Sequence, residues 1–189
     1  MTLLKDDKLL LLRLARESIT SELTGIEINK DLIYEVKKFD LKKGIFVTLT
    51  KKGELRGCIG HVIPILPEYN AIIECAKSAA FRDPRFSPLE RSELPFISIE
   101  ISVLTPMEKL EVIKPEEYFD KIKIGTHGLF IEVKTGEAGL LLPQVFVEHK
   151  VDSLHALQMT CQKAGLPLNA WKNKEINIFT FEAEIFNEK

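Results

Sequence analysis

The sequence predicts a mixed α/β (α+β) protein in which a mostly antiparallel sheet is flanked by helices. Three observations lead to this class. Apolar residues recur at helical spacing near the N-terminus, a tight turn at Lys51-Lys52-Gly53 joins two β-rich runs, and a later segment alternates apolar and polar residues. Strands joined by hairpins pair antiparallel, and intervening helices cover the sheet. The absence of a strict β-α-β order and of a glycine-rich phosphate loop leaves nucleotide binding through such loops unsupported.

Length and charge narrow the classes of function. The 189 residues are enough for one sizeable core and short for two, so residues 1–189 are treated as a single domain. Twenty-six basic and 28 acidic residues give a net charge of -2. The protein therefore has no overall positive potential that would attract nucleic acid or anionic lipid. No apolar stretch near the N-terminus is long enough to cross a membrane or direct secretion.

Cysteine usage points to a reducing compartment. The three cysteines, Cys58, Cys75 and Cys161, are odd in number and widely spaced, which is typical neither of a disulfide framework nor of a zinc site. We therefore expect free thiols in a cytoplasmic protein, with no metal and no cofactor.

The first half of the chain begins with a helix from Asp6 to about Glu22, in which Leu11, Ala15 and Ile19 share one apolar face. The acidic residues at its start stabilise the positive end of the helix dipole. The elements predicted after it are an irregular stretch to Lys43, strands Ile45–Thr50 and Leu55–Val62, a helix from Pro67 to near Phe81, a loop over 82–88, and an alternating strand over Phe96–Leu104.

The second half is predicted to contain two further helices. A short helix covers Pro115–Lys121, and a longer one is capped by Asp152 or Ser153 and stopped by Gly165 and Pro167. The predicted strands are Leu129–Val133, Ala138–Leu142 and a single last strand over Ile176–Phe186.

The most unusual segment is Leu55-Arg56-Gly57-Cys58-Ile59-Gly60. In a regular strand alternate residues share a face, so Arg56, Cys58 and Gly60 are predicted to lie together. Glycine weakens a strand interior, and Gly57 and Gly60 therefore indicate a bulge or the close approach of a ligand or another backbone. A guanidinium beside the thiol would favour the reactive thiolate. His61 could assist only if the strand bends at Gly60.

Two readings of Cys58 stay open. It is a catalytic thiol, or it packs as a small apolar side chain, as most buried cysteines do.

The loop Arg82-Asp83-Pro84-Arg85-Phe86 is a second candidate site. Arg82 and Arg85 could clamp a carboxylate or phosphate. The alternative is that Arg82 serves the helix C-terminus while Asp83 and Arg85 pair with each other or with solvent.

Three further polar residues are weaker candidates. His127, between Gly125 and Gly128, could act as a base, or the segment is simply a glycine-rich turn. Gln144 could orient a polar ligand or satisfy a buried backbone group. Glu100 lies on the polar face of its strand, where exposure to solvent is the default expectation.

Several of these segments occur together in a known order. They are LRGCIG at 55–60, FRDPRF at 81–86, SVLTP at 102–106, GTHG at 125–128, GLLLPQV at 139–145 and KAGLP at 163–167. In this order the sequence resembles the AMMECR-type domain family over nearly its whole length, from about Leu9 to Phe186. One departure is visible, because His149 follows Glu148 where the family pattern has tryptophan.

The resemblance implies a larger and a smaller lobe with a cleft near LRGCIG. It also implies two partners, a Memo-type protein and a radical S-adenosylmethionine enzyme, as in the three-component system whose protein A is similar to this chain. The family has no established reaction, so the resemblance supplies no mechanism.

Three functions are therefore compatible with these residues. In an enzyme, Cys58 is the nucleophile, Arg56 its electrostatic partner, His61 or His127 the proton carrier, and Arg82 with Arg85 the anion clamp. In a binding or accessory module, the same segment receives a small anionic ligand or a partner protein without a covalent step. Nucleic-acid binding is the least favoured, because the net charge does not suggest a basic patch.

Overall fold

The computed structural model describes residues 3–188. They form two units, one made of the chain up to Leu104 together with the segment from Glu184, and the other of Thr105–Ala183. Among the described residues no helix is both long and apolar enough to cross a membrane. In chain order the elements are α1 (Lys5–Thr24), α2 (Lys30–Val36), β1 (Gly44–Lys51), β2 (Glu54–His61), α3 (Glu68–Phe81), β3 (Ile97–Leu104), β4 (Glu108–Lys109), α4 (Tyr118–Lys121), β5 (Gly128–Val133), β6 (Ala138–Leu141), α5 (Pro143–Glu148), α6 (Ser153–Lys163), β7 (Ile176–Phe181) and β8 (Ala183–Asn187).

The first unit is built on a four-stranded sheet with the order β2-β1-β3-β8. The predicted hairpin between β1 and β2 is present, and Lys52 and Gly53 take the positive φ values of 54° and 83° that a two-residue turn of this kind requires. The alternating residues of β3 bury Ile97, Ile99, Ile101 and Val103 in one core with α1 and α3. The period-2 pattern therefore predicted the buried face of this strand correctly.

The hairpin contains one irregularity. Leu49 lies opposite Gly57 and Thr50 opposite Leu55, so Arg56 is an additional residue in β2. This β-bulge is one of the two explanations that the glycines suggested, and it turns the strand locally at the start of the candidate site.

The second unit holds its own sheet, with the order β4-β7-β5-β6. Its core gathers Leu129 and Ile131 from β5, Ile178 from β7, and the side chains of Phe146 and Trp171. Asp152 caps α6, as predicted, by accepting a hydrogen bond from the His155 N–H.

The predicted last strand is wrong in one respect, because Ile176–Phe186 forms two strands in different sheets. β7 belongs to the second unit and β8 completes the sheet of the first. Between them, the N–H of Thr105 donates to the Glu182 carbonyl and the Glu182 N–H donates to Thr105 Oγ1. Thr105 thus provides hydrogen-bond partners for both backbone groups of Glu182, the residue between β7 and β8. The helices α2 and α5 and the two-residue β4 were not predicted.

Gly57 marks the closest approach of β2 to α3. A Cβ atom built on Gly57 would lie 2.1 Å from the backbone oxygen of Ala79. Because a backbone atom cannot rotate away as a side chain can, only glycine allows the helix to pack at this distance. The close neighbour at Gly57 is therefore the protein's own helix.

We expect the substitution Gly57→Ala to destabilise the protein strongly, because the added methyl group forces β2 and α3 apart. Overpacking of this kind costs about 1–3 kcal/mol or more. The control is Gly136→Ala, whose Cβ would meet no atom within 4 Å but which has a φ of 105°. Its loss of stability reports backbone strain without a steric clash. Urea unfolding of both variants measures the difference. Equal losses would show that the contact with Ala79 is not limiting.

Candidate functional site

Cys58 lies on β2, at the edge of the first sheet, with its side chain half-buried. Its Sγ accepts a hydrogen bond from Thr48 Oγ1 at 3.2 Å. Thr48 is directly opposite Cys58 in one ladder and directly opposite Glu100 in the other. Since directly opposite residues share a face of a sheet, Cys58, Thr48 and Glu100 form one row of polar side chains across three strands.

A second row lies beside the first. Gly60 is opposite Phe46, and Phe46 is opposite Ser102. A Cβ on Gly60 would lie 2.3 Å from the Phe46 ring, so this glycine makes room for an aromatic side chain. Ser102 is 1% exposed, and its hydroxyl has no hydrogen-bond partner among the described residues. A buried hydroxyl without a partner is unfavourable and is rare in folded proteins.

The loop after α3 seals the edge of β2 at Cys58. The Cys58 N–H donates to Asp83 Oδ2 at 2.9 Å, and Arg85 Nη2 donates to the Cys58 carbonyl at 3.2 Å. Asp83 and Arg85 therefore satisfy the two backbone groups that a neighbouring strand would otherwise take. The LRGCIG and FRDPRF segments, widely separated in sequence, form one structural unit.

Asp83 is the centre of this arrangement. The residue is 4% exposed, and its carboxylate accepts hydrogen bonds from Arg85 Nε at 2.9 Å, Arg85 Nη2 at 2.7 Å and the Arg85 N–H at 3.1 Å, besides the one from Cys58. The hydrogen bonds from Arg85, with help from the Cys58 N–H, hold the pKa of Asp83 well below its usual range, although burial opposes the shift. Of the two readings of the loop, pairing of Asp83 with Arg85 is the one that the structure contains.

Arg56 does not accompany Cys58 as expected. The bulge takes it out of the strand's alternation, and its guanidinium binds Glu93 through Nε at 3.1 Å and Nη2 at 2.9 Å. Lys51 reaches the same carboxylate at 2.8 Å. The hydrogen bond from Arg56, followed by that from Lys51, lowers the pKa of Glu93. The cation nearest the Cys58 backbone is therefore Arg85.

His61 also differs from the expectation. β2 pairs regularly through Gly60 and ends at His61, so the strand has no bend there. His61 lies on the opposite face from Cys58, and its Nε2 is 3.5 Å from Glu74 Oε1 on α3. The Cys58–His61 pair that the sequence suggested is not formed.

The remaining candidates are dispersed. Arg82 is exposed and lies 3.6 Å from Glu22 of α1. His127 and Gln144 belong to the second unit, where His127 Nδ1 accepts from the Lys123 N–H at 3.3 Å and Gln144 Oε1 is buried without a described partner. Glu100 is half-buried rather than exposed. Across residues 3–188 no group of three or more His, Cys, Asp and Glu side chains is arranged to hold a metal ion.

The other two cysteines are core residues. Cys75 and Cys161 are fully buried, and Cys58 alone of the three has a half-buried side chain. Burial raises the pKa of Cys75 to about 12 and also raises that of Cys161. Both thiols are therefore poor nucleophiles in the folded protein.

Three residues of the site were missed by sequence reasoning. Thr48 and Ser102 alternate with apolar residues in their strands, and this polar periodicity is a signal that they share a face. Glu93 lies in an irregular segment, and no local pattern indicates that it binds Arg56.

Comparisons with known proteins agree on one relationship. The model of the family described as AMMECR1 matches residues 12–186. A protein of Methanothermobacter thermautotrophicus is 43% identical over 187 residues, which cover 97% of this chain and 95% of that protein. A protein of Methanopyrus kandleri is 46% identical over 183 residues, covering 95% and 87%.

One solved structure is similar throughout. The crystal structure of an uncharacterized protein from Pyrococcus horikoshii has a TM-score of 0.85 and 44% sequence identity, and the match covers 95% of this chain and 90% of that one. Neither these relatives nor this structure has a name that states an activity.

We expect Asp83→Asn to lower the free energy of unfolding by about 2–3 kcal/mol at pH 7, the range for buried hydrogen bonds to a charged group. Because the folded-state pKa of Asp83 is depressed, its contribution is complete above the unfolded pKa of about 4 and is lost as pH falls below it. The difference between wild type and variant should therefore shrink in acid. Urea unfolding between pH 3 and pH 7 measures it, and the exposed Asp40→Asn is the control. A difference that does not change with pH would contradict the role of the charge.

Proposed function

The chain belongs to the AMMECR1 family, and we propose that it binds a small anionic ligand on the polar face of its first sheet, beside Cys58. The observation that carries the proposal is the buried Ser102 hydroxyl without a described partner, on the face that also holds Cys58 and Thr48. A ligand oxygen or N–H at this position would satisfy the hydroxyl. Ligand sites commonly combine a few convergent polar groups with an apolar surface, and Phe46 supplies the apolar surface here.

Arg85 supports the anionic character of the ligand. Its side chain is 51% exposed although Nε and Nη2 are occupied by Asp83. Because Asp83 fixes the guanidinium at the Cys58 carbonyl, the exposed remainder is a preorganised donor for a carboxylate or phosphate oxygen.

The geometry favours binding over catalysis by the thiol. Arg56 is engaged by Glu93 and His61 is on the other face, so neither of the groups that sequence reasoning assigned to thiol activation within this unit faces Cys58. The thiol then contributes a polar contact to the ligand, and no covalent step is assigned to it.

Alkylation of Cys58 gives a direct test of the site. We expect iodoacetamide to modify Cys58 in the native protein, while the buried Cys75 and Cys161 react only after denaturation and serve as internal controls. Phosphate, malonate and succinate are the probes, and at least one should slow the modification of Cys58 in a saturable way. Mass spectrometry of the peptides measures the rate for each cysteine.

Two variants make the test specific. Ser102→Ala should weaken the protection by about five- to tenfold, because it removes one hydrogen bond to the ligand. Ser98→Ala, on the same face of β3 but bonded to the Glu188 carbonyl, should leave the protection unchanged. Absence of saturable protection by all three anions, or equal protection in Ser102→Ala, would overturn the proposal.

A second candidate function is that of an accessory module for a Memo-type protein and a radical S-adenosylmethionine enzyme. The loop between β2 and α3 favours it, because Ile63 is 67% and Ile65 54% exposed. Leu41 is 62% exposed, and its backbone carbonyl accepts a hydrogen bond from the N–H of Glu68, the first residue after that loop. Exposed apolar side chains close together are typical of protein–protein contacts.

Replacing Ile63 and Ile65 together by aspartate should abolish binding to a purified Memo-type protein while leaving the fold intact, because both side chains are exposed. Leu168→Asp, at a leucine of the second unit that is 51% exposed, is the matched control. Surface plasmon resonance with each of the two partner proteins measures the effect. Equal binding by the double variant and the control would remove this loop as the docking surface.

A further inference from the structure

A groove of about 680 Å³ lies between α1 and β8 in the first unit, away from Cys58. Its floor is formed by Leu9, Leu12 and Phe186, and cationic side chains of α1 line its rim. β8 is the outermost strand of its sheet, so one edge of its backbone has no neighbouring strand among the described residues. An uncovered edge of this kind is a template for a further strand.

α1 and β8 already show how a strand fits against this helix. Lys8 pairs with Glu184 at 2.8 Å, and Arg16 pairs with Glu188. Lys8 and Arg16 are eight residues apart along the helix, which corresponds to about 12 Å, and Glu184 and Glu188 are four residues apart in extended chain, which corresponds to about 13 Å. The two elements therefore match in length. The side chains of Lys8, Leu12 and Arg16, which follow one another in a stripe along the helix, face Glu184 and Phe186 of β8 and Glu188 directly after it.

The next stripe of α1 repeats this chemistry. Lys5, Leu9 and Arg13 have the same spacing of four residues and the same order of cation, leucine and cation. Leu9 is 56% exposed, and Arg13, whose side chain is 55% exposed, pairs with its helical neighbour Glu17 and with no other acid in the described part of the chain. Lys5 forms no ion pair with any residue between 3 and 188. The stripe thus repeats the residue pattern that faces β8, and no strand among residues 3–188 lies against it.

We propose that the groove binds an extended segment of a partner protein with the pattern acid-x-apolar-x-acid, which pairs with the outer edge of β8. Its two carboxylates meet Lys5 and Arg13, and its apolar side chain covers Leu9. Main-chain hydrogen bonds to β8 supply affinity, and the side chains supply specificity. The spacing of the two cations favours a segment with two acids over an amphiphile with one charged end.

The probe is the capped hexapeptide Ala-Glu-Ile-Phe-Asn-Glu, which reproduces residues 183–188 and carries the required pattern. We expect saturable binding to the full chain, measured by fluorescence anisotropy at low ionic strength. Leu9→Asp should weaken binding at least about tenfold, because it places a charge on the apolar floor. Leu168→Asp, at an equally exposed leucine of the second unit, should have no effect.

A charge exchange tests the pairing itself. The double variant Lys5→Glu, Arg13→Glu should lose the peptide and should instead bind Ala-Lys-Ile-Phe-Asn-Lys, in which both acids are replaced by lysine. Equal binding of both peptides by the unchanged protein, or unchanged binding by Leu9→Asp, would overturn the proposal. So would saturation of the groove by laurate at lower concentration than by the peptide, or a concentration-dependent dimer that Leu9→Asp abolishes, since these would identify an amphiphile or a second copy as the occupant.

Discussion

One carboxylate holds the candidate site together. Asp83 binds the Cys58 N–H, while the arginine that it orients binds the Cys58 carbonyl. An edge strand with free backbone groups is prone to pair with other chains, and these contacts close β2 at the residue that carries the thiol. They also fix the Arg85 guanidinium at the Cys58 carbonyl. Without them the position of the cation would not be defined, because Arg85 is otherwise a long side chain half in solvent.

The glycines and the bulge complete this constraint. Gly57 lets α3 pack against β2, which brings the end of α3, and therefore Asp83, to the strand edge. The bulge directs Arg56 to Glu93 instead of Cys58. Features that suggest a catalytic motif in the sequence thus serve packing and positioning in the structure. What they leave on the face of the sheet is the group of hydrogen-bonding side chains at which we propose that a ligand binds.

Much of the fold could be predicted because it depends on local periodicity. The alternation over Phe96–Leu104 and the turn at Lys52-Gly53 determine the hairpin and the buried face regardless of the rest of the chain. The division of the last strand between two sheets could not be predicted, because it depends on Thr105, which is remote in sequence from Glu182. At the site, the sequence identified Cys58, Asp83 and Arg85 as candidates and offered the Asp83–Arg85 pair as one reading, but it paired Cys58 with Arg56 and His61 instead of with the loop. A bulge changes the direction of a side chain without any change in composition, and so alternation placed Arg56 on the wrong face.

The return of β8 to the first sheet also has a consequence for how the chain matures. Its strand partner β3 emerges before the second unit, and β8 follows it. During synthesis the side of β3 that β8 will occupy thus stays uncovered while the ribosome makes the whole inserted unit. Joining the ends of so long an insertion adds little entropy cost at equilibrium but delays the contact. The edge of β3 in the nascent chain therefore stays unpaired for longer than it would in a protein whose units follow one another in sequence.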